Sequence, residues 1–206
     1  INRDDVRKTD GVIDFSAPAA SMRLLEEALA AVRPLVIGTT GLSDEQKKEI
    51  EKASRRIPVL FSPNMSVGVN LLFKLTETAA RALNTDYDVE IFEAHHRFKK
   101  DAPSGTARRL LEIVRENMGG LEKAKEVPGR DGIVGERSKN EIGILAMRGG
   151  DIVGEHTVFF TTFGERIELT HRATSREILS SGAVTAMEFL AGRPAGLYTM
   201  YDVLGF

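Results

Sequence analysis

Residues 88–107 read Asp88-Val89-Glu90-Ile91-Phe92-Glu93-Ala94-His95-His96-Arg97-Phe98-Lys99-Lys100-Asp101-Ala102-Pro103-Ser104-Gly105-Thr106-Ala107. The first part alternates polar and apolar side chains, the period of a half-buried strand. Downstream, Ala107 to Asn117 is rich in helix formers, with Leu110, Leu111 and Val114 at helical spacing. A strand therefore passes into a helix through about ten residues, longer than the usual ~2–6 for such a link.

Pro103 suits the first position of a helix, which needs no N–H from it. Ser104-Gly105-Thr106 then opens the helix, whose first-turn amides and dipole attract an anion. Gly105 lets a ligand approach the backbone closely. Arg97, Lys99 and Lys100 add positive charge, and histidine offers proton transfer near neutral pH. Each feature alone also reads as helix punctuation or a solvated face. The adjacent pair His95-His96 is less neutral, because in extended chain the two rings point to opposite sides. No metal site is expected: there is no Cys, no His-x-x-x-His and no set of carboxylates around the pair.

The run from Glu93 to Ala107 resembles the signature of the dihydrodipicolinate reductase (4-hydroxy-tetrahydrodipicolinate reductase) family of lysine and diaminopimelate synthesis. The resemblance extends through Val12-Ile13-Asp14-Phe15-Ser16, Ile37-Gly38-Thr39-Thr40-Gly41, Asn64-Met65-Ser66-Val67-Gly68-Val69-Asn70, Gly149-Gly150-Asp151-Ile152-Val153-Gly154-Glu155-His156 and Gly164-Glu165-Arg166.

The totals are those of an ordinary globular chain: 206 residues, 42% hydrophobic, 28% charged. A net charge of −2 gives no reason to expect nucleic acid or an anionic membrane as partner. No apolar run approaches the ~20 residues of a membrane span. The absence of Cys excludes disulfides and thiolate catalysis, and with it an acyl-forming semialdehyde dehydrogenase.

Upstream, Gly11–Phe15, Pro34–Gly38 and Pro58–Ser62 are short apolar runs, read as buried strands. Helices at 19–31 and from Ser43 to about Arg55 alternate with them, Ser43 serving as N-cap. That order implies parallel pairing with right-handed crossovers, half of a doubly wound sheet. Ligands of such sheets bind beyond the carboxyl ends of the strands. Residues 66–84 read as a helix leading to strand 88–94, and 122–140 as a charged, Gly-rich loop that is either a surface excursion or a lid. Strands at 141–148, 155–162 and 166–172 complete a mostly antiparallel open sheet, with His156 and His171 on it as structural residues. A helix from about Arg176 to Leu190 and the segments Gly196–Met200 and Asp202–Leu204 close the chain.

The expected fold is thus α/β: a partial Rossmann-type domain (1–66 and 177–206) and an α+β substrate-binding and oligomerisation domain (67–176). The chain begins with Ile1 and shows no Gly-x-x-Gly-x-Met-Gly phosphate loop. Against the family pattern, the first strands of the nucleotide-binding domain are expected to be missing. The resemblance implies NADH or NADPH as cofactor, lined by Gly38, Thr39, Thr40, Ser62, Pro63, Asn64 and Met65. It implies His95 as proton donor and Lys99 as second catalytic residue. His96, Gly105 and Thr106 would hold the carboxylates of a small dicarboxylate substrate. A cytoplasmic homotetramer with domain closure over the ligand completes the expectation. A related cyclic-imine reductase and a non-catalytic dicarboxylate-binding chain are the alternative readings.

Overall fold

The computed structural model describes residues 3–83 and 85–206. The peculiarity of Ile1 and the end of the expected helix at Asn84 lie outside the described residues. In chain order the elements are α1 (Arg3–Arg7), β1 (Val12–Asp14), α2 (Pro18–Ala31), β2 (Leu35–Ile37), α3 (Asp44–Ser54), β3 (Pro58–Phe61) and α4 (Val67–Ala82). There follow β4 (Asp88–His95), α5 (Gly105–Asn117), β5 (Lys125–Val127), β6 (Glu141–Arg148), β7 (Gly154–Thr162), β8 (Glu165–Ala173), α6 (Glu177–Leu190), β9 (Gly196–Tyr198) and α7 (Met200–Leu204). The chain forms two compact units, one of residues up to Asn70 with Glu177–Phe206, the other Leu71–Arg176. The first break falls inside α4.

In the first unit, β1, β2, β3 and β9 form a fully parallel sheet in that order. The central strands β2 and β3 are apolar on both faces, as strands covered by helices on each side require. Leu35, Ile37 and Val59 join Leu25 and Ala28 of α2 and Ile50 and Ala53 of α3 in one core layer. Val36 and Leu60 face the other way, against Ala183, Ala186 and Leu190 of α6. Helix α3 starts with a full capping box, Ser43 and Gln46 satisfying each other's orphan amides. Helix α1 is an addition to the sequence reading, whose first element is the strand at Gly11–Phe15. Its Val6 is buried against the α2 layer, and one such anchor in a polar segment leaves no periodic signal to read.

In the second unit the order is β5-β6-β4-β7-β8. The pairs β5–β6 and β4–β6 are parallel, while β4–β7 and β7–β8 are antiparallel. The sheet is therefore mixed rather than mostly antiparallel. Strand β5 lies inside the segment expected to be a loop; three half-polar residues are too few to show a period. Helix α5 covers β4, β6 and β7 with Leu110, Leu111, Ile113 and Val114, all buried. It starts at Gly105 with Ser104 as N-cap, whose hydroxyl accepts from the Ala107 N–H. Pro103 therefore stands before the cap and not at the first helical position. The stretch after β5 is fastened down by two arginines. Arg130 donates to Glu90 and Glu141, and Arg137 to Asp88, Glu90 and the carbonyls of Val89 and Glu141. Among the described residues no helix is long and apolar enough to cross a membrane.

One close approach in the first unit is decided by a glycine. A Cβ on Gly182 of α6 would lie 1.8 Å from the Met65 carbonyl oxygen, which is backbone and cannot swing aside. Gly182→Ala is expected to destabilise the protein by about 2 kcal/mol or more, the cost of overpacking, read as a lower thermal midpoint. An unchanged midpoint would contradict this packing.

Candidate active site

Strand β4 ends in Glu93-Ala94-His95, and the period of two puts Glu93 and His95 on the same face. Glu93 is fully buried. Its carboxylate is held in a bidentate pair by Arg148, at 2.7 Å and 2.8 Å. In the β4–β6 register Arg148 lies directly opposite His95, which is what brings the guanidinium there. Glu93 Oε1 also accepts the Ser104 N–H at 3.1 Å, and Oε2 meets His95 Nδ1 at 2.6 Å. Burial works against the Glu93 charge, but the bonds from Arg148 and His95 outweigh it and hold the carboxyl below its ordinary range. An ionised carboxylate can only accept, so Nδ1 of His95 carries the proton and Nε2 is the atom left to face a ligand. Burial pushes the His95 pKa down; Glu93 opposes this, and Lys99 and Arg148 add to it.

The backbone around His95 is fixed as well. Its carbonyl accepts the Gly149 N–H at 3.0 Å, and the Gly150 carbonyl accepts the Arg97 N–H at 3.2 Å. A Cβ on Gly154 would stand 3.1 Å from His95 Nε2, so glycine at that point leaves the ring its space. Lys99 Nζ donates to Asp101 at 2.9 Å, which holds that carboxyl low, and Arg148 grips the Asp101 carbonyl at 2.8 Å.

His96 has different company. Its Nε2 lies 3.0 Å from Arg176 Nη2 and its ring 6.3 Å from that of Phe98. Its Nδ1 is buried without a hydrogen-bond partner among the described residues. Gly105 and Thr106 form the first turn of α5, and nothing lies within 4 Å of where a Gly105 Cβ would be. The dipole of a thirteen-residue helix and two cationic neighbourhoods thus converge on one strand-to-helix connection.

In the first unit the relevant residues sit at the carboxyl ends of β1, β2 and β3. Asp14 is buried and accepts from the Ser16 amide and hydroxyl and from Thr39 Oγ1. Gly38 lies under Phe15: a Cβ there would be 2.4 Å from the ring. Thr40 and Pro63 are exposed and Asn64 half-buried. Three of the side chains expected to line a cofactor are engaged elsewhere. Thr39 bonds Asp14, Ser62 donates to the Asn64 carbonyl, and Met65 is fully buried beside Ala183 and Leu190. What remains at the ends of the parallel strands is the backbone at Gly38 and Thr39, the half-exposed Phe15 ring, and the side chains of Thr40, Pro63 and Asn64.

The family model for the dihydrodipicolinate reductase N-terminus matches residues 3–65, and that for the C-terminus matches residues 68–204. The chain belongs to the dihydrodipicolinate reductase family.

Relatives agree with that membership. The 4-hydroxy-tetrahydrodipicolinate reductase of Hahella chejuensis is 55% identical over 196 residues, covering 95% of this chain and 73% of its own. That of Aquifex aeolicus is 54% identical over 199 residues, covering 96% and 74%. The solved dipicolinate-bound dihydrodipicolinate reductase from Paenisporosarcina sp. TG-14 superposes with a TM-score of 0.78 at 25% identity, over 95% of this chain and 73% of that one. In this member of the dihydrodipicolinate reductase family, four residues of the site went unread in the sequence: Glu93, Arg148, Gly154 and Arg176. Glu93 carried a usable signal, its i,i+2 spacing from His95. Arg148 and Arg176 carried none, being 53 and 81 positions beyond His95 by subtraction of their numbers.

Arg148→Met would leave the Glu93 charge buried without its partner, a loss of about 3 kcal/mol near neutral pH. Because the Glu93 pKa is lowered on folding, its stabilising contribution is present above its ordinary value of 4.5 and fades as pH falls through the folded value. The gap between wild type and variant should therefore narrow below pH 4.5 in denaturant titrations. A gap constant with pH would contradict the role given to this pair.

Proposed function

We propose that this chain is a 4-hydroxy-tetrahydrodipicolinate reductase of lysine and diaminopimelate biosynthesis, using NADH or NADPH. The observation that carries the reading is the buried carboxylate of Glu93, which holds both a proton-donor histidine and the N-cap of α5. Within this reading, residues up to 66 and from 177 are the dinucleotide-binding part, and 67–176 bind substrate. A bound nicotinamide supplies the hydride that adds to a conjugated ring carbon. The backbone of Gly38 and Thr39 with Thr40, Pro63 and Asn64 would hold it.

The chain's own residues account for the rest. One substrate carboxylate is taken by the first-turn amides of α5 at Gly105 and Thr106, and the other by His96 with Arg176. His95 Nε2 gives the proton to the carbon next to the one reduced. Glu93 stabilises the imidazolium from the Nδ1 side and fixes the ring plane. Lys99 neutralises negative charge that develops on the ring during addition. A homotetramer in the cytoplasm belongs to the same proposal.

NADH or NADPH oxidation in the presence of freshly generated substrate tests this directly. His95→Gln is expected to lower kcat by about 10²-fold, the scale of a lost general acid, with little change in cofactor affinity. His96→Ala should act mainly on KM. The acid must be protonated, so turnover falls as pH rises through its pKa. Burial sets that value below 6.5 in the free protein, and a bound dianion raises it. The basic limb of kcat should thus lie at higher pH than that of kcat/KM. Coincident limbs would remove His95 from this role. Dipicolinate binding without turnover by wild type would mean that the chain keeps the site but does not reduce.

A further inference from the structure

The sequence reading placed His156 on the sheet as a structural residue, and the catalytic steps above leave it unused. We propose that His156 is a positioning residue of this reductase: it ties the carboxylate-binding end of α5 to the ring of the proton donor. The inference rests on the proposed function.

His156 is buried, 4% exposed, and stands directly opposite Glu93 in the β4–β7 register. Its Nε2 makes a 3.0 Å hydrogen bond with Ser104 Oγ. Ser104 is the residue that caps α5 and whose amide donates to Glu93. The His156 ring also meets the His95 ring edge-on, with centroids 5.2 Å apart and planes at 72°. One imidazole thus touches both ends of the reacting geometry, the cap that aims the Gly105 and Thr106 amides and the ring that gives the proton.

A core filler would not need these atoms. The other nitrogen, Nδ1, is buried without a hydrogen-bond partner among the described residues, a cost that an apolar side chain of similar size would avoid. Nor is His156 an acid or base in its own right. Burial first, then the neighbouring His95, push its pKa down to about 3, with Glu93 opposing and His171 and Lys99 adding to the fall. These groups face it from β4, from β8 and from the loop after β4. A permanently neutral ring can hold a position without altering the charge that His95 must carry.

The test compares His156→Phe with His156→Gln in the full chain, reading dipicolinate affinity by calorimetry and KM and kcat by turnover. Phe fills the volume and loses the bond; the Gln amide reaches the Nε2 position and can remake it. His156→Phe is expected to weaken dipicolinate by about tenfold and raise KM in step, the scale of a buried hydrogen bond left unmade. His156→Gln should recover most of this, with both unfolding midpoints near wild type. Should the Phe variant not fold, Ser104→Ala approaches from the other partner. Adding His156→Met to it, which fills the site without the bond and alone should cost as much as the loss expected of Phe, should then cost nothing further, because the shared bond is already gone. Wild-type affinity and KM in His156→Phe would overturn the inference, as would a folded Gln variant as weak as Phe, or additive losses in the double variant. Failure of the wild-type chain to bind dipicolinate or turn over substrate would instead overturn the proposed function, and this inference with it.

Discussion

The second unit is arranged around one buried negative charge. Glu93 has no solvent, and a carboxylate in that position is tolerable only because Arg148 answers it with a two-point hydrogen-bonded pair. Its remaining capacity is used by the His95 ring and the Ser104 amide. Three separate pieces of chain, the end of β4, the start of α5 and the end of β6, are therefore held to a single group. The desolvation that makes this pair costly also makes it unforgiving of movement. Positions that must hold to a fraction of an ångström are served well by an interaction that has no acceptable second arrangement.

Environment, more than residue type, divides labour among the histidines. His95 lies between a carboxylate and two cations, with one nitrogen committed and one open. His96, its immediate neighbour, lies beside a guanidinium and suits an anion. His156 is desolvated until it stays neutral. A similar contrast separates the two arginine clusters. Arg148 stabilises the buried Glu93 charge at the end of β4, while Arg130 and Arg137 hold the long connection between β5 and β6 against Glu90, Asp88 and Glu141. The latter stretch is closer to a fastened strap than to the free loop that its glycines and charges suggest.

Much of the architecture was legible because it depends on local periodicity. The apolar runs at β1, β2 and β3 and the intervening amphipathic helices announce a parallel sheet, and the alternation in β4 announces a strand with one buried face. What escaped was short or depended on a single contact: the five residues of α1, the three of β5, and the cap that starts α5 at Ser104 instead of placing Pro103 inside the helix. The mixed character of the second sheet was also out of reach, since pairing direction between β4 and β6 is a property of two distant segments.

For the site, the sequence by itself determined the chemical inventory: adjacent histidines, nearby lysines and a helix start with Ser-Gly-Thr, all within one connection of the chain. Tertiary structure decided which atoms are usable. It placed Arg148 across from His95 by strand register, brought Arg176 to His96, and engaged or buried the side chains of Thr39, Ser62 and Met65. The physical reason is that residue types and their spacing are encoded along the chain, whereas desolvation, hydrogen-bond pairing and the choice of open nitrogen depend on groups that meet only when distant strands pack.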